Sequence, residues 1–181
     1  MRKLMFFAAV LCLFTMSAFA QKASYAGTWT LDASKSKLDE RMRIESITLT
    51  VAQTDTELKV TTATKRQAPP ADAPARSGGG GGGMGRMGGG DGTTAYDLFG
   101  KETKIEIDGP NGKMPQMLKA KAEGGKLNLS KSSSFSGPMG EISVTTKETW
   151  ELSADGKTLT VNREQTTPRG TNTSTMVFTK S

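Results

Sequence analysis

The chain has no histidine and a single cysteine, Cys12, among its 181 residues. Cys12 sits in the first apolar run, so everything beyond that run lacks both thiol and imidazole. Ser-His and Cys-His nucleophilic catalysis are thereby excluded, as are His- or Cys-ligated metals and any disulfide. The carboxylates show no calcium-loop spacing, and no metal or other cofactor is expected. Aromatic residues make up only 6% of the chain. Lys and Arg number 24 against 18 Asp and Glu, but the excess is scattered. Without a basic stripe, nucleic acid is not an expected partner. Nor is there a run of about 20 apolar residues, the length a membrane-spanning helix needs. Two carboxylates suffice for glycoside hydrolysis, so a carboxylate-based hydrolase is the one enzymatic reading left. Short hairpins leave little room for its cleft, and the chain is expected not to be an enzyme.

What is present begins with a leader. Arg2 and Lys3 precede the apolar run Leu4–Phe14, and Ser17-Ala18-Phe19-Ala20 follows before Gln21. Positive flank, short apolar stretch and Ala-x-Ala end are the parts of a secretory signal peptide, with cleavage expected after Ala20. Leu11 stands before Cys12 where a lipid-attachment site needs a small residue. The expected product is a soluble exported protein, periplasmic or extracellular.

Beyond the leader the apolar residues alternate with period 2. Ile47, Leu49 and Val51 alternate with Thr48 and Thr50, and Leu58 and Val60 with Lys59 and Thr61. Ile105 and Ile107 follow, then Leu118, Ala120 and Ala122, then Leu127 and Leu129. Ile142, Val144, Thr146, Glu148, Trp150 and Leu152 share one face of a longer run. Leu159, Val161, Arg163 and Gln165 share the next, and Met176-Val177-Phe178 ends the pattern. Gly124-Gly125 and Asp155-Gly156 mark tight hairpin turns. Only Ser34–Arg43 has helical character, with Ser36 as its cap. The pattern predicts an all-β chain of about 8–10 strands, rolled into a single antiparallel up-and-down barrel that buries one face and removes sheet edges.

Gln67–Thr93 interrupts the alternation. Ala-Pro-rich Ala68–Ala75 leads into Ser77–Gly92, which holds 11 of the 21 glycines. Such a stretch gains little on ordering and is expected to be a flexible loop within one domain spanning 21–181. It lacks the Lys-Ser/Thr end of a phosphate-binding loop.

A two-residue turn at Asp155-Gly156 sets Leu152 opposite Leu159, Trp150 opposite Val161 and Glu148 opposite Arg163. Glu148 and Arg163 then point inward as a cross-strand ion pair. Two readings stay open. Either the pair is a polar anchor inside a ligand cavity, or it is a half-wet structural pair at the barrel mouth.

Gly27-Thr28-Trp29, just after the leader, resembles the Gly-x-Trp opening of the lipocalin and fatty-acid-binding superfamily. More of the chain resembles a bacterial exported lipocalin-like family of uncharacterised function. The matching pieces are Gly27–Leu31 with Ser34-Lys35-Ser36, the Lys147–Trp150 strand, Leu152–Leu159, Pro168-Arg169-Gly170 and Phe178-Thr179-Lys180. The resemblance implies a barrel that holds a small apolar or amphipathic molecule, with Gly27 and Trp29 as structural residues. The candidate ligand-binding residues are Arg163, Glu148, Trp150, Leu152 and Val161. The alternative is a cell-envelope interaction protein with a filled barrel and no ligand.

Overall fold

The computed structural model describes residues 23–38, 43–67, 91–109, 112–137 and 140–181. The leader and most of the glycine-rich insertion, residues 68–90, lie outside them. Ten strands follow in chain order: β1 (Gly27–Leu31), β2 (Ile44–Gln53), β3 (Glu57–Arg66), β4 (Gly92–Asp97) and β5 (Thr103–Gly109), then β6 (Gly112–Glu123), β7 (Lys126–Gly137), β8 (Gly140–Leu152), β9 (Thr158–Thr167) and β10 (Gly170–Lys180). All belong to one sheet, ordered β4-β3-β2-β1-β10-β9-β8-β7-β6-β5. Each strand pairs antiparallel with its neighbours, so the chain is an uninterrupted meander.

Pairing of β1 with both β2 and β10 bends the meander into a nearly closed barrel. Its two edges, β4 and β5, are consecutive in the chain but do not pair. The expected alternation decides what faces inward. In β8, Val144, Thr146, Glu148 and Trp150 are buried while Ser143 and Lys147 are exposed.

The turns differ in detail from the sequence reading. Gly124 and Gly125 both have positive φ, 59° and 78°, and join Glu123 to Lys126 as a two-residue turn. At the second hairpin only Gly156 is left-handed, at 66°. A primed turn needs both central residues at positive φ, which Asp155 does not supply. The loop therefore spans Ser153–Lys157, closed by Gly156 N–H to Ser153 O and Ser153 N–H to Thr158 O, each 2.9 Å. The strand register is nonetheless the expected one.

The helical expectation for Ser34–Arg43 is corrected over residues 34–38; residues 39–42 lie outside the described residues. Ala33–Lys35 form a turn, and no helix occurs among the described residues. Ser36 is no cap: its hydroxyl donates to Asp32 O at 2.7 Å and accepts the Val177 N–H at 2.9 Å. It fastens the chain after β1 to β10, which Lys37 also meets through Thr175. No helix of the described residues is long and apolar enough to cross a membrane.

The barrel has a sealed end and an open one. At the sealed end Ala23 and Tyr25 run beneath the strands, held by both polar ends of Gln53. Trp29 is fully buried and donates its indole N–H to Tyr25 O at 2.9 Å. Tyr25 in turn meets Trp150 edge-on, with ring centroids 6.0 Å apart, and its hydroxyl donates to Trp150 O. Leu58, Leu118, Leu127, Leu159 and Phe178 fill the floor above them. A smaller cluster of Met114 and Val144 with Ile107, Phe135 and Ile142 lies apart, separated from the floor by buried Gln116, Ser133, Thr146 and Glu148.

Gly27 has φ of 138°, and a Cβ there would lie 2.7 Å from Lys180 Cε. The Lys180 ammonium sits 5.2 Å from the centre of the Trp29 ring. A side chain at Gly27 therefore strains the backbone and displaces the cation that covers Trp29. Gly27→Ala should cost about 1–3 kcal/mol, read as a lower urea midpoint at unchanged slope. An unchanged midpoint would show that the strand start tolerates a side chain.

Candidate functional site

Between the apolar floor and the open end lies a cavity of about 360 Å³. Its lower wall is Leu49, Val161, Trp150, Met176 and Phe178; its upper wall carries Thr62, Thr64, Gln165, Asn172 and Ser174. Glu148, Arg163, Lys131 and Tyr96 mark the change from one to the other. The gradient follows from β3, β9 and β10, whose inward positions turn from apolar to polar towards the open end, while Ile47 and Ile44 of β2 keep an apolar strip there. In β9 the inward series is Leu159, Val161, Arg163, Gln165.

The β8–β9 register brings Glu148 opposite Arg163, with side-chain exposures of 10% and 20%, so Glu148 is buried and Arg163 partly buried. Both residues line the cavity. Arg163 Nε and Nη2 both donate to Glu148 Oε1 at 2.8 Å. Trp150, two residues along on the same face, donates its indole N–H to Oε2 at 2.9 Å. Both carboxylate oxygens are therefore occupied by protein donors.

Burial pushes the Glu148 carboxyl up, but Arg163, Lys131 and the hydrogen bonds from Trp150 and Arg163 together outweigh it. The net effect holds Glu148 below the usual carboxylate range, so it stays ionised. Burial likewise raises the Tyr96 phenol, as does the Glu148 charge, against a smaller opposing effect of Arg163. Tyr96 remains neutral.

Of the five residues expected to bind a ligand, Glu148, Arg163, Trp150 and Val161 lie together in the cavity wall. Leu152 does not. It pairs with Leu159 and packs, partly buried, against the floor below the cavity. Gly27 and Trp29 lie at the sealed end, where Trp29 is a packing residue and outside the cavity wall.

Sequence reasoning missed Lys131 and Tyr96. Lys131 continues the inward series Leu127, Leu129 by one step, as Glu148 continues past Trp150, so the period-2 rule was able to find it. Tyr96 carried no such signal: β4 is six residues long and follows directly on the glycine-rich stretch.

No protein-family model and no curated protein matches the chain. Among solved structures it is similar to a zebrafish ileal bile acid-binding protein in complex with cholic acid. Identity is 17%, coverage is 87% of this chain and 98% of that one, and the TM-score is 0.49. The barrel implied by the sequence motifs is shown by the strand order itself. The bacterial exported family is supported by none of these comparisons.

Removing one partner of the buried pair leaves the other charge uncompensated. Arg163→Met and Glu148→Gln should each cost about 3 kcal/mol at neutral pH. A loss below ~1 kcal/mol in both would mean the pair behaves as an exposed one. The acid limb gives the sign independently. A depressed folded pKa contributes stability above the unfolded value, and that stability is lost as pH falls through the folded one, below about pH 4. Arg163→Met removes the main depressing charge, so Glu148 should take up a proton at a higher pH in the folded variant, and the variant's stability deficit against the parent should shrink as pH falls.

Proposed function

We propose that this protein binds one small hydrophobic or amphipathic molecule inside its barrel and does so outside the cytoplasm. The observation that carries the reading is the cavity of about 360 Å³ with an apolar floor and a polar upper wall. Its size lies near the lower end of small-molecule sites, which run from about 300 to 1,000 Å³. A buried ion pair with a fixed geometry, Glu148–Arg163, stands at the junction of the two surfaces, where an amphipathic molecule changes from tail to head. Export rests on Arg2 and Lys3, the apolar run and the Ala-x-Ala end of the leader. A non-enzymatic role is favoured by the cavity's acid content. Two-carboxylate hydrolysis needs a pair of acids flanking the bond, and Glu148 is the one carboxylate among the described lining residues, with both its oxygens already engaged.

The test is native mass spectrometry of the protein purified gently from its own source. The expected result is a mass beginning at Gln21 with a reproducible small adduct that denaturation removes. Trp150 lines the cavity and Trp29 does not, so adduct removal should also shift tryptophan emission, and the shift should persist in Trp29→Phe. A bare mass, with tryptophan emission unmoved by a panel of lipids, would favour instead a filled-barrel interaction protein of the cell envelope. A mass that retains Met1–Ala20 would remove the export reading alone.

A further inference from the structure

Lys131 differs from the other amines of this protein. Every other described lysine is exposed, whereas Lys131 continues the inward positions Leu127 and Leu129 of β7 and is partly buried. It has no carboxylate within 4.0 Å among the described residues. Its Nζ has two weak neighbours: the Thr94 hydroxyl at 3.4 Å and the Tyr96 ring, whose centre lies 5.9 Å away. It lines the main cavity and a second, polar cavity between the unpaired edges β4 and β5.

The charged groups that face it do not pair with it. On the main-cavity side both Glu148 oxygens are taken by Arg163 and Trp150, and Arg163 and Arg66 are further cations. On the second side Asp91 accepts the Thr64 N–H at 2.6 Å, and Glu106, Asp108 and Lys113 complete the charged lining. Burial pushes the Lys131 amine down in pKa, Glu148 lifts it partly back and Arg163 lowers it again, with a net fall. Desolvation next to another cation is one of the ways a protein activates a lysine as a nucleophile, because it favours the neutral amine that attacks.

We propose that Lys131 is a nucleophile whose ε-amine condenses with a long-chain aldehyde, the tail lying along Trp150, Val161, Met176 and Phe178. Nζ forms a bond to the carbonyl carbon and gives up two hydrogens; the C–O bond breaks, and the oxygen leaves with both hydrogens as water. The product is an imine, and nothing is oxidised or reduced. The inference rests on the ligand-binding reading above and makes the bound molecule a covalent adduct that water can reverse. An aldehyde fits on two counts. Condensation needs neither a leaving group nor a second nucleophile, and Glu148, the one carboxylate among the described lining residues of the main cavity, is already engaged. The neutral imine also carries no N–H, so it removes donors for which the wall offers one weak acceptor.

The test adds decanal to the purified protein with cyanoborohydride, which reduces an imine to a stable secondary amine, and locates the label by peptide mass spectrometry. Lys131 should be labelled about tenfold or more faster than any other lysine at neutral pH, since each unit by which an amine lies below its ordinary pKa gives about ten times more neutral form. Decanol, which has the tail without the carbonyl, should slow the labelling of Lys131 alone. Lys131→Met should lose the fast label and Lys131→Arg should not restore it, while decanol still shifts tryptophan emission in both. Where Lys131→Met does not bind decanol, protection by decanol in the parent carries the test. Labelling spread evenly over the lysines, or a fast label that survives Lys131→Met, would overturn the assignment. If decanol binds and Lys131 is labelled no faster than the rest, the nucleophile is wrong and the ligand reading stands. If neither probe binds and the native mass is bare, both fall together.

Discussion

The Glu148 carboxylate is the group on which the interior depends. Its two oxygens take three donors, Arg163 Nε and Nη2 on one and the Trp150 indole on the other. Moving a carboxylate and a guanidinium out of water costs several kcal/mol each unless the geometry returns it. Here one strand supplies both the charge and the indole, at positions i and i+2 on the same face, and the next strand supplies the guanidinium directly opposite. A shift of one residue between β8 and β9 would turn one partner outward and leave the other buried alone. The pair therefore specifies the register as strongly as the apolar residues beneath it do. Because the register runs unbroken from β5 through β10 to β1, fixing it at one hairpin constrains the whole wall.

A short supply of large apolar side chains accounts for the cavity. The floor consumes most of them: Trp29, Trp150, Tyr96, Phe178, Leu58, Leu118 and Leu159 are all essentially inaccessible. Above that layer the inward positions of β3, β9 and β10 fall to threonine, arginine, glutamine, serine and asparagine, while β2 keeps Ile47 and Ile44 and β5–β8 gather Ile107, Met114, Phe135, Val144 and Ile142 into the smaller cluster. Gln116 and Ser133 satisfy each other at 3.1 Å, which closes one side of this level. On the other side, between β2–β3 and β9–β10, nothing of that size reaches across, and space remains. A low apolar content is compatible with a tight small core or with an open cavity, and this barrel has both, a tight floor and a space of about 360 Å³ above it.

Much of this was legible in the sequence because a β-strand declares its faces in single-residue steps. Period-2 alternation located the strands of the barrel, and one assumed turn placed Glu148 opposite Arg163 even though the turn itself is longer than assumed. The register survived because the lengthened loop adds residues symmetrically, Ser153 facing Thr158. What failed to show was of two kinds. Leu152 was counted with Trp150 because they share a face, but depth along the barrel axis is not written in alternation, and Leu152 lies a step too low. The segment after β1 looked helical from its serines and charges, whereas Ser36 is used to fasten the chain to β10, a contact 141 residues away in sequence. Local propensity carries no information about such a partner. Trp29 was read as a packing residue and is one, but the role of Tyr25 as the lid beneath Trp150 depends on a crossing of the chain that no spacing reveals.

The same reasoning explains why one interior lysine weighs more than the many on the surface. A lysine at the surface reaches water or a neighbouring acid, as Lys65 does with Glu45 and Lys126 with Glu151, at little gain or cost. Lys131 stands on an inward position among residues that have already paired. Burial pushes its ammonium down in pKa, the Glu148 charge lifts it partly back, and Arg163 lowers it again. A position of that kind would be better filled, for stability alone, by the leucine that its strand neighbours Leu127 and Leu129 carry. Thr146 opposite it would by the same measure be better as valine, which has the same shape and no hydroxyl to satisfy.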